Sequence, residues 1–387
     1  MESKMTSWRQ YVRTPLVVGI PLVASVLLAG CGATSDAKAT GPVDKQCVEK
    51  ATSMVDAAKA PVKFAFQGPA LDVSSARGKT VYWIATTGDI PFTKAVYGGF
   101  KAAADAAGLK VNFFDGRGQT SEQLRGVQQA VAAKADLIVL QSIPVGLMGA
   151  GVDAAHRAGI PIVEAFNQDS TAPKSDGATA SVSFAYQQVG KLLAASVAAS
   201  SGCNAKSVAI NSSDVPVSVP EMDGLEAGFK ELCPDTCDLE IRDALIADWS
   251  TKVGTLTQNA VADSKINWLI PVYDGMVQFA TPGVRQANAT GRVKIASFNA
   301  SPGIVDDLKN SGSPFAVDIG APLGWTGWAI ADQSLRILTG QQPVSDEQIP
   351  VRIFDQDNAK DIDFKGSEAD MYGGSYEDAY KKLWGLE

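Results

Sequence analysis

One histidine, His156, stands in a chain of 387 residues, and there are only five cysteines. A single imidazole leaves histidine-assisted serine or cysteine hydrolases one possible base. His156 lies in the helical stretch 152–158, closed by Gly159, where it reads as a solvated residue. No Gly-x-Ser-x-Gly elbow and no Gly-x-x-x-x-Gly-Lys-Ser/Thr phosphate loop occurs. With so little histidine, the cysteines are not expected to hold zinc, and neither metal nor cofactor is expected. After residue 30 no apolar run reaches the ~20 residues that a membrane-crossing helix needs. Basic side chains are outnumbered, 34 against 42 acidic, for a net charge of −8. Such a surface repels phosphate backbones, so nucleic acid is not an expected partner, and an anionic ligand would need a local arginine or lysine.

What the chain does have begins at its start. Residues 16–31 are a short apolar run ending in Leu28-Ala29-Gly30-Cys31, with Arg9 and Arg13 before it. Cationic start, apolar core, small residues and a thiol predict an export signal over 1–30, with Cys31 carrying a lipid. An uncut anchor or a buried helix are the plainer readings. Removing three basic and one acidic residue with the signal would leave the mature chain at −10. The expected location is extracytoplasmic, lipid-anchored to a bacterial cell membrane. Cys47, Cys203, Cys233 and Cys237 then form an even set, suited to disulfides. Cys203 and Cys237 each precede a predicted strand, so a bridge between them is reasonable. Cys233–Cys237 is the local alternative, and free buried thiols are the third.

Residues 31–45 read as a flexible tether, and 46–78 as a short helix followed by an extended segment. From residue 80 a rhythm sets in. Buried strands are predicted at 81–85, 111–114, 137–140 and from 160, with helices between them. A second run has strands at 208–210, 239–241, 268–270 and 293–298, again separated by helices. Alternation of this kind predicts parallel sheets covered on both faces, and two runs predict an α/β protein with two doubly wound lobes. The C-terminal rings Tyr372, Tyr376, Tyr380 and Trp384 are spaced as one helical stripe in 371–387, expected to pack on a lobe.

In open parallel sheets, ligands bind beyond the carboxyl ends of the strands. Those ends carry Thr87, Asp89 and Phe92; Phe166 and Asn167; Asp214; Asp248 and Trp249; Tyr273 and Asp274; and Asn299. Rings cover the C–H faces of a sugar or polyol, while amides and carboxylates bond its hydroxyls. Phe92, Phe166 and Trp249 also fit core packing, and Asp89, Asp214 and Asp248 also fit helix caps. A hydrolase using Asp89 and Asp274 as paired carboxylates is the enzymatic alternative, with no spacing to support it.

Four segments carry a resemblance: 84–92 with its Pro91-Phe92, 158–163 (Ala-Gly-Ile-Pro-Ile-Val), 223–229 and 295–299. Together they resemble type I periplasmic-binding proteins of the ribose-binding, sugar-importer class, over about residues 79–355. The resemblance implies two lobes joined by three hinge crossings. Lobe 1 would take 79–183 with 320–349, and lobe 2 would take 184–319 with 350–370. It implies a non-enzymatic, monomeric solute-binding lipoprotein that closes on its ligand and delivers it to an ABC permease. The family's stacking aromatics fall on Phe92 and Trp249. Its acidic-basic pair falls on Phe166 and Asn167, its second-lobe arginine near Asp223, and its later polar positions on Tyr273 and Asn299. The hinge-side amide lands near Gly320, with Trp325 the nearest large residue. Loss of the charged groups and gain of aromatics suggest a less polar or smaller ligand: a polyol, a deoxysugar or an aromatic-bearing compound. A sensor subunit presenting the closed form to a membrane receptor would use the same cleft.

Overall fold

The computed structural model describes residues 43–65 and 68–386. The export signal, Cys31 and most of the tether lie outside the described residues. Helix α1 (Lys45–Lys59) comes first, capped by the Asp44 carboxylate, which accepts from the Cys47 amide at 3.1 Å. Five parallel strands follow: β1 (Thr80–Ala85), β2 (Lys110–Asp115), β3 (Leu137–Gln141), β4 (Ile162–Ala165) and β5 (Ala180–Val182), in the order β2-β1-β3-β4-β5. A second sheet holds β6 (Lys206–Asn211), β7 (Asp238–Asp243), β8 (Trp268–Pro271), β9 (Lys294–Asn299), β10 (Phe315–Gly320) and β11 (Arg352–Asp355). Its order is β11-β10-β9-β8-β6-β7, with β11 antiparallel to β10. Helices α2 (Pro91–Ala107), α3 (Thr120–Ala132) and α4 (Gly149–Arg157) clothe the first sheet. Helices α5 (Tyr186–Ser201), α6 (Ser218–Leu232), α7 (Trp249–Val261) and α8 (Val277–Gln286) clothe the second, and α9 (Leu323–Leu338) returns to pack on α2.

Local causes are plain. Val81–Ala85 is buried without interruption, as a strand covered on both faces must be. Proline opens α2 at its first turn and Gly108, at φ 76°, ends it. The edge strands β2 and β7 put charged side chains outward, which blunts both edges. Helices α2 and α9 touch backbone to backbone: a methyl added to Gly327 would sit 2.3 Å from Phe100 N and 2.4 Å from Val96 O. No rotamer relieves that contact. Gly327→Ala is expected to cost at least about 1–3 kcal/mol, seen as a lower urea midpoint at unchanged slope. An unchanged midpoint would mean the two helices part freely.

The chain passes between lobes at β5–α5, β10–α9 and α9–β11. Two terminal segments add further passages. Helix α1 lies on α5 of the second lobe, and the chain then runs to β1 of the first. On the way, Val62 N donates to Tyr372 O at 2.6 Å and Leu71 N to Leu383 O at 2.9 Å. The expected single C-terminal helix is two: α10 (Glu368–Tyr372) and α11 (Glu377–Leu383), broken at Gly373, whose φ is 97°. Tyr376, Tyr380 and Trp384 pack on Trp328, while Tyr372 turns instead to Phe354.

Disulfides join Cys47 to Cys203 and Cys233 to Cys237. The Cys203–Cys237 bridge does not form. Helix α5 ends at Gly202, in the left-handed region, and the turn sets Cys203 beside α1, whereas Cys237 N bonds Cys233 O in a local turn.

Candidate functional site

The carboxyl ends of both sheets face one cavity, of about 560 Å³ when the open solvent at its mouth is counted. The first lobe contributes the β1–α2 loop, with Thr86, Thr87 and Phe92, and the end of β3, with Gln141 and Ser142. The second contributes Val215, Val217, Ile246 and Trp249 from the loops after β6 and β7. Strands β8 and β9 run out into Tyr273, Asp274, Asn299 and Ser301, and Tyr186 joins from the start of α5. The lips meet: a methyl on Gly118 of the first lobe would lie 3.6 Å from Ile246 Cγ2 and 3.7 Å from Ala247 Cβ.

Of the expected site residues, Thr87, Phe92, Trp249, Tyr273, Asp274 and Asn299 converge here. Five others do not line the cavity. Asp89 is exposed, so it makes no carboxylate pair with buried Asp274. Phe166, at φ 61°, turns its ring inward under Phe92, with centroids 5.1 Å apart; it supports the wall without forming it. Asn167 is buried beside it, donating to Ile143 O at 2.8 Å and Glu164 Oε2 at 3.3 Å. Helix α6 starts at Ser218, which puts Asp223 beyond the first turn on its exposed face. Trp325 packs behind the cleft, against Phe64 and Tyr376. Tyr186, Gln141, Ser142, Ser301 and the aliphatic wall were missed. The strand-end rule could have found Gln141, the last residue of β3, and Ser301, two residues past β9. Tyr186 follows a strand of only three residues and gives no such signal.

The polar groups fall into two sets. Many are already engaged. Trp249 Nε1 donates to Ser212 Oγ at 3.1 Å and to Ala244 O at 3.2 Å. Tyr273 OH lies 3.0 Å from Ser218 Oγ. Asp274 accepts from Ser301 N at 2.5 Å and from Ser301 Oγ at 2.8 Å. Burial pushes its carboxyl up to about 7 despite those donors. Gln141 is different. Its Oε1 accepts from Trp83 Nε1 at 3.0 Å, which fixes the amide, and its buried Nε2 has no partner. That N–H₂ is a donor held ready for a ligand acceptor. Glu221, buried nearby, has no partner at either oxygen, and burial pushes it well up into the neutral form. Among the described residues no lysine, arginine or histidine lines the cavity.

Two doubly wound lobes closing over a cavity of rings and uncharged polar groups define a solute-binding clamp. The sequence profile of the periplasmic binding protein domain matches residues 81–342, and the chain belongs to that family, one of solute-binding proteins and not of enzymes. Curated proteins return no match. Among solved structures, an ABC transporter solute-binding protein from Agrobacterium vitis with bound allitol is similar at 18% identity, covering 74% of this chain and 98% of its own, with a TM-score of 0.65. One from Bacillus halodurans with bound myo-inositol matches at 18%, 74%, 97% and 0.64. The 5-methylthioribose-binding protein of Thermotoga lettingae matches at 13%, 80%, 99% and 0.69. At such identities the likeness is one of fold.

Proposed function

We propose that this chain captures a small, uncharged, sugar- or polyol-like solute between its lobes and delivers it to the permease of an ABC importer. It works as a monomer outside the cytoplasm, tethered by a lipid on Cys31. The observation that carries the reading is the convergence of Phe92, Trp249, Tyr273 and Asn299 on one cavity that, among the described residues, has no cationic side chain. Rings and amides suit hydroxylated rings or chains, and the absence of a cation disfavours phosphorylated or acidic ligands. Solved relatives of this fold hold allitol, myo-inositol and 5-methylthioribose. Two disulfides suit an oxidising compartment. The Leu28-Ala29-Gly30-Cys31 stretch supports the anchor.

The test is a thermal-shift screen of the mature chain against sugars, polyols and sugar phosphates, followed by calorimetry. At least one neutral member is expected to raise the midpoint, and none of the phosphates. Trp249→Ala should weaken that ligand by about 100-fold or more, since a ring buried against ligand is lost. Stabilisation by phosphates alone would end the proposal. Mass spectrometry of the membrane fraction, compared between the wild-type chain and Cys31→Ala, tests the lipid.

A further inference from the structure

We propose that the ligand carries a short apolar arm, a deoxygenated or alkylated position, seated on the second-lobe wall of Val215, Val217, Ile246 and the Trp249 ring. This rests on the sugar-like reading above and sharpens it. The wall comes from the loops after β6 and β7, and its aliphatic side chains and indole ring face offer a ligand only carbon.

The reason lies in how those loops are held. Both Asp214 oxygens accept from Ile246 N, each at 3.1 Å, so the one carboxylate ties the two loops together. Ser212 Oγ donates to Ala244 O at 3.0 Å and accepts from the Trp249 indole. Ser213 Oγ donates to Asp243 at 2.8 Å, and Ser218 Oγ to Ser212 O at 2.7 Å. Every hydroxyl and carboxylate between Asn211 and Val219 is thus spent within the loops. The wall is also narrowed toward solvent, because Gly118 of the other lobe approaches Ile246. A ligand hydroxyl placed there would leave water and find no partner.

The opposite end of the cleft is built differently. Gln141 Nε2 is an unpartnered buried donor, and the Ser301 hydroxyl and Asn299 amide, though both donate to Asp274, keep oxygen lone pairs that can accept from a ligand hydroxyl. In the sheet order β7 is the edge, β6 is next to it, and β8 and β9 lie further in. Apolar and polar groups are therefore separated along the cleft. Hydroxyls are read toward the sheet's middle and a hydroxyl-free arm toward its β7 edge.

The experiment is calorimetry on matched pairs: hexoses with their 6-deoxy forms, pentoses with their 5-deoxy forms, and free sugars with their methyl glycosides. The deoxy or methylated partner is expected to bind about tenfold more tightly or better in at least one pair. Val217→Thr keeps the shape, and threonine is a good residue at the N-cap that position 217 occupies on α6. Ile246→Thr is a second variant at a half-buried site. Either should shrink the preference about fivefold. If hydroxylated partners bind as tightly or more tightly in every pair that binds, the arm is wrong while sugar capture stands. If the preference survives in both variants, the arm does not lie on this wall and the proposal fails. If no member of any pair binds, this inference and the sugar reading fall together.

Discussion

The double variant Cys47→Ser/Cys203→Ser is expected to lose about 5 kcal/mol of stability in oxidising buffer, and Cys233→Ser/Cys237→Ser only about 2 kcal/mol. The two bridges differ in what they enclose. Cys47 and Cys203 are 156 residues apart, and every strand of the first sheet, β1 to β5, lies between them. Cys233 and Cys237 are 4 apart. A cross-link restricts the unfolded chain by an amount that grows with the logarithm of the loop it closes. The long bridge also fixes α1 to the second lobe, so its loss frees a helix whose buried face includes Ala51 and Val55. Urea titration of the oxidised wild-type chain and both variants separates the cases. Equal losses would mean that loop closure is not what the long bridge contributes.

Stability is expected to fall as pH rises from about 4 to about 7, opposite to the trend set by carboxylates in ion pairs. Asp274 and Asp318 are wholly buried, and Asp318, on β10, has among the described residues no cation beside it and only the Ala300 backbone amide to offset its burial. Desolvation raises both, Asp274 to about 7 from 3.8, and the charge of Asp274 pushes Asp318 up further. Below about pH 4 these groups are protonated whether the chain is folded or not. Between there and about pH 7 the unfolded chain releases protons that the folded chain retains, so each further rise in pH weakens the fold. A tenfold change in proton affinity is worth about 1.4 kcal/mol, so Asp274 alone amounts to about 4 kcal/mol across the window. Exposed Asp72 and Glu231 and half-buried Glu122 are held low by hydrogen bonds and act in the other direction, where water screens them. Guanidinium midpoints at about pH 5 and about pH 8 check this. The wild-type chain should lose clearly more than Asp318→Asn, whose amide stays neutral throughout. Equal losses would place the protons elsewhere.

The scaffold was legible because its strands are unbroken apolar runs and its helices carry stripes such as Val96, Phe100, Ala103 and Ala107. Both properties follow from covering a sheet on two faces. Strand β5, three residues long, is too short for any periodicity to mark. Part of the site was legible for a topological reason: strand ends gather at the cleft, and Phe92, Trp249, Tyr273 and Asn299 sit on them. The failures share a cause. Phe166 also sits at a strand end, but a left-handed backbone turn sends its ring beneath Phe92. Position along the chain names the loop and not the direction in which the side chain leaves it. Trp325 failed similarly, since a helix beginning at Leu323 has already turned it toward Tyr376. Gln141 lies one residue past the strand predicted at 137–140, within reach of the strand-end rule; its role as a free donor depends on Trp83 taking its oxygen, a contact between strands that no spacing reveals.

The Glu368 carboxylate accepts from Gly324 N and Trp325 N, both at 2.8 Å, at the start of the helix that leaves the hinge. Arg352 of β11 holds the same short helix through Met371 O. Trimming the chain at Asp363 would remove that latch and strip the cover from the indoles of Trp325 and Trp328. Anyone building a fluorescent reporter from this scaffold should therefore fuse the fluorophore after the last residue and leave the final 24 in place. A shortened version would be a sticky protein with a loosened pivot, and its signal would report that damage as well as the solute.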